Sequence, residues 1–132
     1  MSQGIKHVEI AVSDLQKSLS FYDALFEIIG WQKAKNNGFV SGNTKVYVKQ
    51  WDFPRGNTLG VRHLCFWADS RAVVDKVGVY VQGAGVKMIR GPLLVVEYSP
   101  DYYTVDFFDP DGYMLEVAHT PAQSGDEQTF ET

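Results

Sequence analysis

Hydrophobic and polar residues alternate along several short segments of the chain, and hydrophobic residues recur at helical spacing along two longer ones. Residues 5–12 (IKHVEIAV) are rich in β-branched side chains and partly alternating, which predicts a strand. The apolar positions between Leu15 and Ile29 fall on one face of a helix. Asp14 predicts the start of that helix, because its carboxylate can accept backbone N–H bonds, and Gly30 predicts its end.

Short extended segments and tight turns follow this helix. Residues 36–38 (NNG) and 42–43 (GN) supply the positive-φ positions that such turns require. They separate strands that we predict at 31–35, 39–41 and 44–52. The first half therefore has the predicted order β-α-β-β-β.

The second half repeats this order. Its pattern predicts a strand over 61–68 and a helix from Arg71 to about Ala84, capped by Ser70. Further extended segments are predicted at 86–89, 93–98, 102–108 and 113–119, with a break at Gly91-Pro92. The last two form a hairpin, because residues 109–112 (DPDG) combine a proline that fixes φ with a glycine that can turn left-handed.

The two halves are also related in residue pattern. Ile5-Lys6-His7-Val8 and Val61-Arg62-His63-Leu64 both have the order apolar, basic, histidine, apolar, and each precedes a capped helix and further strands. A recurring order of elements favours duplication of one module. The sequence predicts a single α+β domain over residues 1–132, built from two tandem βαβββ modules at about 4–53 and 60–120, with a polar tail over 121–132 that frays from Gln123.

Composition narrows the possible functions. The 132 residues carry a formal net charge of -4, whereas a domain that binds nucleic acid has a clear basic excess. The single cysteine, Cys65, excludes an intramolecular disulfide and fits a reducing compartment. No run approaches the roughly 20 apolar residues needed to span a membrane, and the first residues have no secretory pattern. We therefore expect a soluble, cytoplasmic protein that binds neither nucleic acid nor membrane.

Three predicted strands each carry one metal-binding residue type on the face opposite their apolar residues, because Cβ directions alternate along a strand. These residues are His7, His63 and Glu116. Two imidazoles and a carboxylate can bind a catalytic divalent ion and leave coordination positions open. A buried carboxylate is costly unless it is paired or metal-bound, which favours this role for Glu116. The pattern alone leaves open that each histidine is merely hydrogen-bonded, and His119, near the chain end, is expected to be exposed.

Other residues on these faces are candidates for catalysis or substrate binding. Glu9 shares the face of His7 and is either a general base or the ion-pair partner of a basic residue. Cys65 shares the face of His63 and is either a nucleophile or a small buried thiol. Arg90 can receive a substrate carboxylate, although most arginines lie on the solvated surface. Pocket wall and core packing are the alternatives for Trp67, Tyr98, Tyr102, Tyr103 and Met114.

These motifs resemble those of the vicinal-oxygen-chelate superfamily, which includes glyoxalase I, fosfomycin-resistance thiol transferases, extradiol dioxygenases and bleomycin-resistance proteins. The matching features are the strand with His7, the segment 12–15 (VSDL), the strand with His63, and the segment 108–116 (FDPDGYMLE). The resemblance covers about residues 4–119. The last segment is the most specific, because it joins a hairpin turn to the glutamate.

The resemblance implies a curved mixed sheet around a cleft that holds one divalent ion. His7, His63 and Glu116 would be its ligands, and the ion would chelate two oxygen atoms of the substrate. Fe, Mn, Zn, Ni, Co and Mg are all compatible with such a site. The resemblance also implies a homodimer, since members with two modules commonly dimerise.

The chain departs from particular members of that superfamily. Glyoxalase I has a further glutamate ligand on the last strand of its first half, where this chain has no acid over 44–50 (TKVYVKQ). Gln50 or water can take that ligand position, and Val48 can equally occupy the place of the glutamate. Thiol transferases carry basic residues after the metal glutamate, where this chain has residues 117–121 (VAHTP). Both activities are therefore disfavoured.

Two functions of different classes are compatible with these features. The first is a metal-dependent enzyme of lyase, isomerase or dioxygenase type, whose ion acts as a Lewis acid on a small oxygen-bearing substrate. The second is a metal-free protein of the bleomycin-resistance kind, which sequesters a small molecule. The presence of all three implied ligands favours the enzyme, because such binding proteins usually lack them.

Overall fold

The computed structural model of the chain describes residues 3–54 and 56–121. The frayed tail predicted from Gln123 lies outside the described residues. In the described ranges, no helix is long and apolar enough to cross a membrane. Two compact units make up the chain: Met1–Gly60 with Pro110–Gly112, and Val61–Asp109 with the residues from Tyr113 onward.

The first unit contains a β-α-β-β-β module. Its elements are β1 (His7–Val12), α1 (Leu15–Ile29), β2 (Gln32–Ala34), β3 (Gly38–Ser41) and β4 (Thr44–Gln50). The sheet has the strand order β1-β4-β3-β2, with β1 parallel to β4 and the other pairs antiparallel. The hydrophobic pattern predicted this order of elements, and only the strand ends differ by up to a few residues.

Local chemistry determines both ends of α1, as predicted. Asp14 is extended, and its carboxylate accepts a hydrogen bond from the Lys17 N–H at 3.1 Å. Gly30 ends the helix with a φ of 92°, a left-handed conformation that costs glycine little. The core of this unit consists of apolar side chains from α1 and the sheet: Phe21, Tyr22, Leu25, Phe26, Ile29, Ile10, Val12, Phe39, Val46 and Val48.

The second unit has the same order of elements. They are β5 (Leu64–Trp67), α2 (Arg71–Gly83), β6 (Met88–Leu94), β7 (Tyr103–Phe108) and β8 (Met114–His119). The strand order is β5-β8-β7-β6, and β5 is parallel to β8 as β1 is to β4. The predicted α+β class with two βαβββ modules is therefore confirmed.

Strand β6 differs from the prediction of two pieces separated at Gly91-Pro92. The structure has one strand with register irregularities on either side of Arg90. This strand lies at the edge of the sheet, where a proline without an N–H need not interrupt a ladder on both sides. Gly91 has a φ of 94°, and a Cβ there would lie 2.5 Å from the Thr104 carbonyl oxygen of the neighbouring strand.

The two faces of the second sheet differ in character. One face packs against α2 and is apolar, with Val105, Phe107, Leu115 and Val117 fully buried. The opposite face, which we call the open face, carries the alternate residues Cys65, Thr104, Asp106 and Glu116. The polar side chains of the open face therefore project from strands whose opposite face is packed in the apolar core.

Two glycines of α2 allow a matched test of how closely β6 packs on the helix. A Cβ at Gly78 would lie 2.9 Å from the Pro92 ring, whereas a Cβ at Gly83 would meet no atom within 4 Å. We expect Gly83→Ala to raise the free energy of unfolding by up to about 1 kcal/mol, because alanine favours the helix. We expect Gly78→Ala to lower it by about 1–3 kcal/mol, because a rigid ring must shift. Urea denaturation measures both changes, and an equal gain from both variants would contradict the packing.

Candidate functional site

Glu116 lies near the middle of the open face of the second sheet. It is in register with Cys65 on β5 and with Asp106 on β7, so all three side chains share one face. Only 5% of Glu116 is exposed to solvent. A carboxylate this buried requires partners, because an unpaired buried charge is strongly unfavourable.

Three side chains supply those partners. Glu116 Oε2 accepts hydrogen bonds from the Tyr102 hydroxyl at 2.9 Å and the Thr104 hydroxyl at 2.6 Å. Glu116 Oε1 lies 2.9 Å from His63 Nε2. Burial raises the pKa of Glu116, but the three hydrogen bonds together lower it by more than burial raises it. The net pKa is therefore below the ordinary value of a glutamate. The carboxylate is therefore held in its ionised form.

Tyr102 contributes a hydroxyl that stays protonated. Burial, the nearby Cys65 and the hydrogen bond to Glu116 all raise the pKa of this phenol. Because the phenol keeps its proton, it can only donate to the carboxylate.

A cavity of about 320 Å³ opens beside Glu116. The residues that line it all belong to the second unit: His63, Cys65, Phe66, Trp67, Tyr98, Tyr102, Glu116, Ala118 and Thr120. We call this space the Glu116 cavity. It combines a pair of metal-competent groups with several aromatic rings, as small-molecule sites commonly do.

The structure brings together some of the residues predicted to contact substrate and places others elsewhere. Cys65 and Trp67 line the Glu116 cavity, whereas Tyr103, Met114 and Arg90 do not. The Tyr103 hydroxyl instead donates to Asp75 of α2 at 2.6 Å, on the helix side of the sheet.

Arg90 lies on β6 in register with Asp106 and forms an ion pair with it. Its Nε donates to the Asp106 carboxylate at 2.6 Å. The hydrogen bond to Asp106 contributes most to the raised pKa of Arg90, and Tyr98 adds a smaller hydrogen bond. Burial raises the pKa of Asp106, although Arg90 opposes that shift. The guanidinium is thus adjacent to the Glu116 cavity, through Tyr98, without lining it.

Two sequence-based expectations about burial are wrong. Cys65 is exposed rather than a buried thiol, with its Sγ 3.9 Å from the Tyr102 hydroxyl, because it lies on the open face of β5. His119 is partly buried rather than exposed, and its Nδ1 lies 2.8 Å from the Ala68 carbonyl oxygen. The reason is that β8 continues to His119 beside the end of β5, so the imidazole meets a backbone acceptor there.

In the first unit, β1 carries the other predicted functional residues. His7 and Glu9 are exposed on one face, whereas Ile10 and Val12 are buried, so the predicted alternation of this strand is confirmed. His7 Nε2 lies 3.9 Å from Glu9 Oε2, and the imidazole meets the Tyr47 ring edge-on at 5.6 Å between centroids. The basic side chain that approaches Glu9 is therefore the imidazole of His7 rather than the lysine or arginine considered above.

The strand register identifies the position in the first unit that is equivalent to Glu116. Tyr47 is opposite Glu9, which lies two residues after His7. In the same way, Glu116 is opposite Cys65, which lies two residues after His63. Val48 is fully buried in the core. Gln50 uses its amide to hold the start of α1, accepting from the Leu15 N–H at 2.9 Å through Oε1. In the first unit, a phenol thus replaces the carboxylate.

Sequence reasoning missed Thr104, although the hairpin turn contained the necessary signal. The turn at 109–112 sets the register of β7 against β8, which pairs Asp106 with Glu116 and Thr104 with Ala118. Alternation from Asp106 then places Thr104 on the open face. In the part of the chain that the structure describes, no three His, Cys, Asp or Glu side chains are grouped so as to hold a metal ion.

Comparisons with known proteins agree with the fold. A family model for the Glyoxalase/Bleomycin resistance protein/Dioxygenase superfamily matches residues 4–117. Virulence protein STM3117 of Salmonella typhimurium is 26% identical over 123 residues, which represent 86% of this chain and 82% of that protein.

Two solved structures are similar in fold. A glyoxalase/bleomycin resistance protein from Albidiferax ferrireducens T118 has a TM-score of 0.73 at 24% identity, covering 89% of this chain and 98% of the other. A glyoxalase/dioxygenase from Nostoc punctiforme has a TM-score of 0.68 at 20% identity, covering 90% and 92%. Likeness at such identities shows the fold alone, but the family model spans most of the sequence. The chain therefore belongs to the Glyoxalase/Bleomycin resistance protein/Dioxygenase superfamily.

Proposed function

We propose that this protein is a divalent-metal-dependent enzyme that acts on a small molecule bound through adjacent oxygen atoms. One observation carries the proposal: His63 Nε2 and Glu116 Oε1 are 2.9 Å apart, while two hydroxyls hold the other carboxylate oxygen. Donor atoms about 2.1 Å from one ion and at right angles to each other are about 3.0 Å apart. The pair therefore has the spacing of two adjacent metal ligands.

His7 is the proposed third ligand. It is exposed on the equivalent face of the equivalent strand in the first unit, and its Nε2 lies 3.9 Å from Glu9 Oε2, which is too far for a hydrogen bond. Two imidazoles and one carboxylate suit Fe, Mn, Zn, Ni, Co or Mg, and water would take the remaining positions. Members of this superfamily commonly bind small molecules and often form dimers, so we propose a cytoplasmic homodimer.

A bound divalent ion would supply Lewis acidity toward the substrate oxygens. The protein's own groups do the rest. Tyr102 and Thr104 orient the Glu116 carboxylate and keep it ionised. Glu9 is an exposed carboxylate two residues from His7, and we propose it as the general base. The chemistry is of the lyase, isomerase or dioxygenase type and differs from that of a typical glyoxalase I, because Tyr47 replaces the further carboxylate.

The second candidate function is metal-free binding of a small molecule, as in bleomycin-resistance proteins. The observation that favours it is that His63 and Glu116 also satisfy each other as a hydrogen-bonded pair, with 2.9 Å between Nε2 and Oε1. Metal analysis separates the two functions.

Removal of a proposed ligand should abolish metal binding. We expect protein purified without chelator to hold about one divalent ion per chain. The variants His7→Ala, His63→Ala and Glu116→Gln should each lower the affinity for that ion by more than roughly 10–100-fold, which is the cost of losing a hydrogen bond to a metal ligand. The matched control is His119→Ala, whose imidazole contacts the Ala68 carbonyl and should keep full metal content. Elemental analysis measures the content, and a folded wild type that takes up none of the six metals would leave the binding protein as the function.

The hydrogen bond from Thr104 to the ionised Glu116 carboxylate should make a pH-dependent contribution to the stability of metal-free protein, whereas the contact of the same hydroxyl with the Val117 carbonyl at 3.1 Å should not depend on pH. Because the folded pKa of Glu116 is lowered, the pH-dependent contribution is present above the ordinary glutamate pKa and is lost as the pH falls through the folded value. We expect Thr104→Val to lower Tm at pH 7 by an amount that shrinks as the pH falls below the ordinary glutamate value of 4.5. Thr44→Val is the control, because that hydroxyl donates to the Ile5 carbonyl, and its effect should not change with pH. Parallel pH profiles for both variants would contradict the assignment.

A further inference from the structure

Two large aromatic side chains of the Glu116 cavity are exposed to solvent. Trp67 is 63% exposed and Tyr98 is 57% exposed, and both line the cavity that contains His63 and Glu116. Two exposed aromatic rings in one concave site are unfavourable in water and are characteristic of grooves that bind a ligand. These rings have no role in holding a metal ion.

Trp67 stands beside a small residue on the cavity floor. It ends β5 in register with Ala118 of β8, and the following Ala68 N–H donates to the Ala118 carbonyl at 2.8 Å. The strand ladder therefore fixes the backbone that carries Trp67. The methyl side chain of Ala118, which is itself a lining residue, leaves space above the sheet next to the indole.

Tyr98 is held by the turn between β6 and β7. Its N–H donates to the Val95 carbonyl at 3.1 Å, and the Val95 N–H donates to the Tyr102 carbonyl at 2.9 Å. The Tyr98 ring also meets the Tyr102 ring edge-on, with 5.1 Å between centroids. An exposed aromatic residue on a turn with this many constraints is preorganised, which lowers the entropic cost of binding.

Polarity and size limit what the rings can bind. The lining residues include neither lysine nor arginine, and the nearby Arg90 is paired with Asp106 at 2.6 Å, so the cavity does not suit a polyanion. Thr120, which also lines the cavity, is 4% exposed, and its hydroxyl has no hydrogen-bond partner among the described residues. A volume of about 320 Å³ lies near the lower end of the range for small-molecule pockets, which suits a small ligand.

We propose that the ligand of the Glu116 cavity carries a flat, uncharged aromatic or conjugated ring, and that Trp67 and Tyr98 select it by packing against its faces. The inference deepens the proposed function, because the oxygen-bearing end of the same ligand would lie at His63 and Glu116. The ring contacts themselves do not depend on a metal ion. They determine specificity, whereas the metal-competent groups determine where the oxygens bind.

Three α-hydroxy acids test this selection, because they share one chelating end and differ in the attached group. Mandelate carries a phenyl ring, hexahydromandelate a cyclohexyl ring and lactate a methyl group. We expect mandelate to bind about tenfold more tightly than hexahydromandelate, since a flat ring gains contacts with aromatic faces that a puckered ring does not. Lactate should bind most weakly. Calorimetric titration of the full chain, with and without Mn²⁺, measures all three Kd values.

Alanine variants show which side chains cause the preference for mandelate. Trp67→Ala and Tyr98→Ala should each reduce the ratio between mandelate and hexahydromandelate toward one while metal content stays at the wild-type level. Trp51→Ala is the matched control, because Trp51 is 52% exposed but belongs to the first unit and does not line the cavity. It should leave the ratio unchanged.

The two proposals fail in different ways. A preference for mandelate that persists without any gain from Mn²⁺ would support ring selection and count against the metal-dependent enzyme. Equal binding of mandelate and hexahydromandelate, or no binding of either at millimolar concentration, would overturn ring selection whatever the metal content. So would a Trp67→Ala variant that keeps the preference but dissociates a dimer, since the indole would then face a second copy of the chain.

Discussion

The buried carboxylate of Glu116 is the constraint on which the site depends. One oxygen is held by the hydroxyls of Tyr102 and Thr104, and the other lies 2.9 Å from His63 Nε2. These donors come from β7, the turn before it and the segment before β5, so the carboxylate is satisfied only when three parts of the second unit are correctly paired. A one-residue slip of β7 against β8 would turn Thr104 away and leave the charge without a donor.

Such an arrangement is poorly explained by stability alone. An apolar residue at position 116 would avoid the cost of desolvating a charge, and replacing buried ion pairs with apolar groups is commonly neutral or stabilising. The chain instead lowers the pKa of this glutamate with three hydrogen bonds at the floor of a cavity. Perturbed ionisable groups in cavities mark functional sites more often than structural ones, which links the energetics of Glu116 to its proposed chemistry.

Much of this architecture could be predicted from the sequence, because it depends on local rules. Alternation gave the faces of β1 and β8, and Asp14 and Gly30 gave the ends of α1. Contacts set by register were harder to predict. Tyr102 and Tyr103 were both candidates for the pocket wall, and only the phase of β7 separates them, because adjacent residues face opposite sides of the sheet. The continuity of β6 depends on its pairing with β7, and the contact of His119 depends on the backbone that follows β5. The residue pattern within one segment carries no information about such neighbours.

Comparison of the two modules explains why the proposed site has three protein ligands. Each module places a histidine before or at its first strand, and on the parallel neighbour it places a second residue opposite the position two residues beyond that histidine. In the second unit that residue is Glu116, which gives an imidazole and a carboxylate at ligand spacing. In the first unit it is Tyr47, which packs against His7 and also lies under the Lys49 ammonium at 5.3 Å. The first module therefore offers an imidazole but no carboxylate at the position equivalent to Glu116, and a two-histidine, one-carboxylate set keeps more positions open for substrate oxygens than a four-ligand set does.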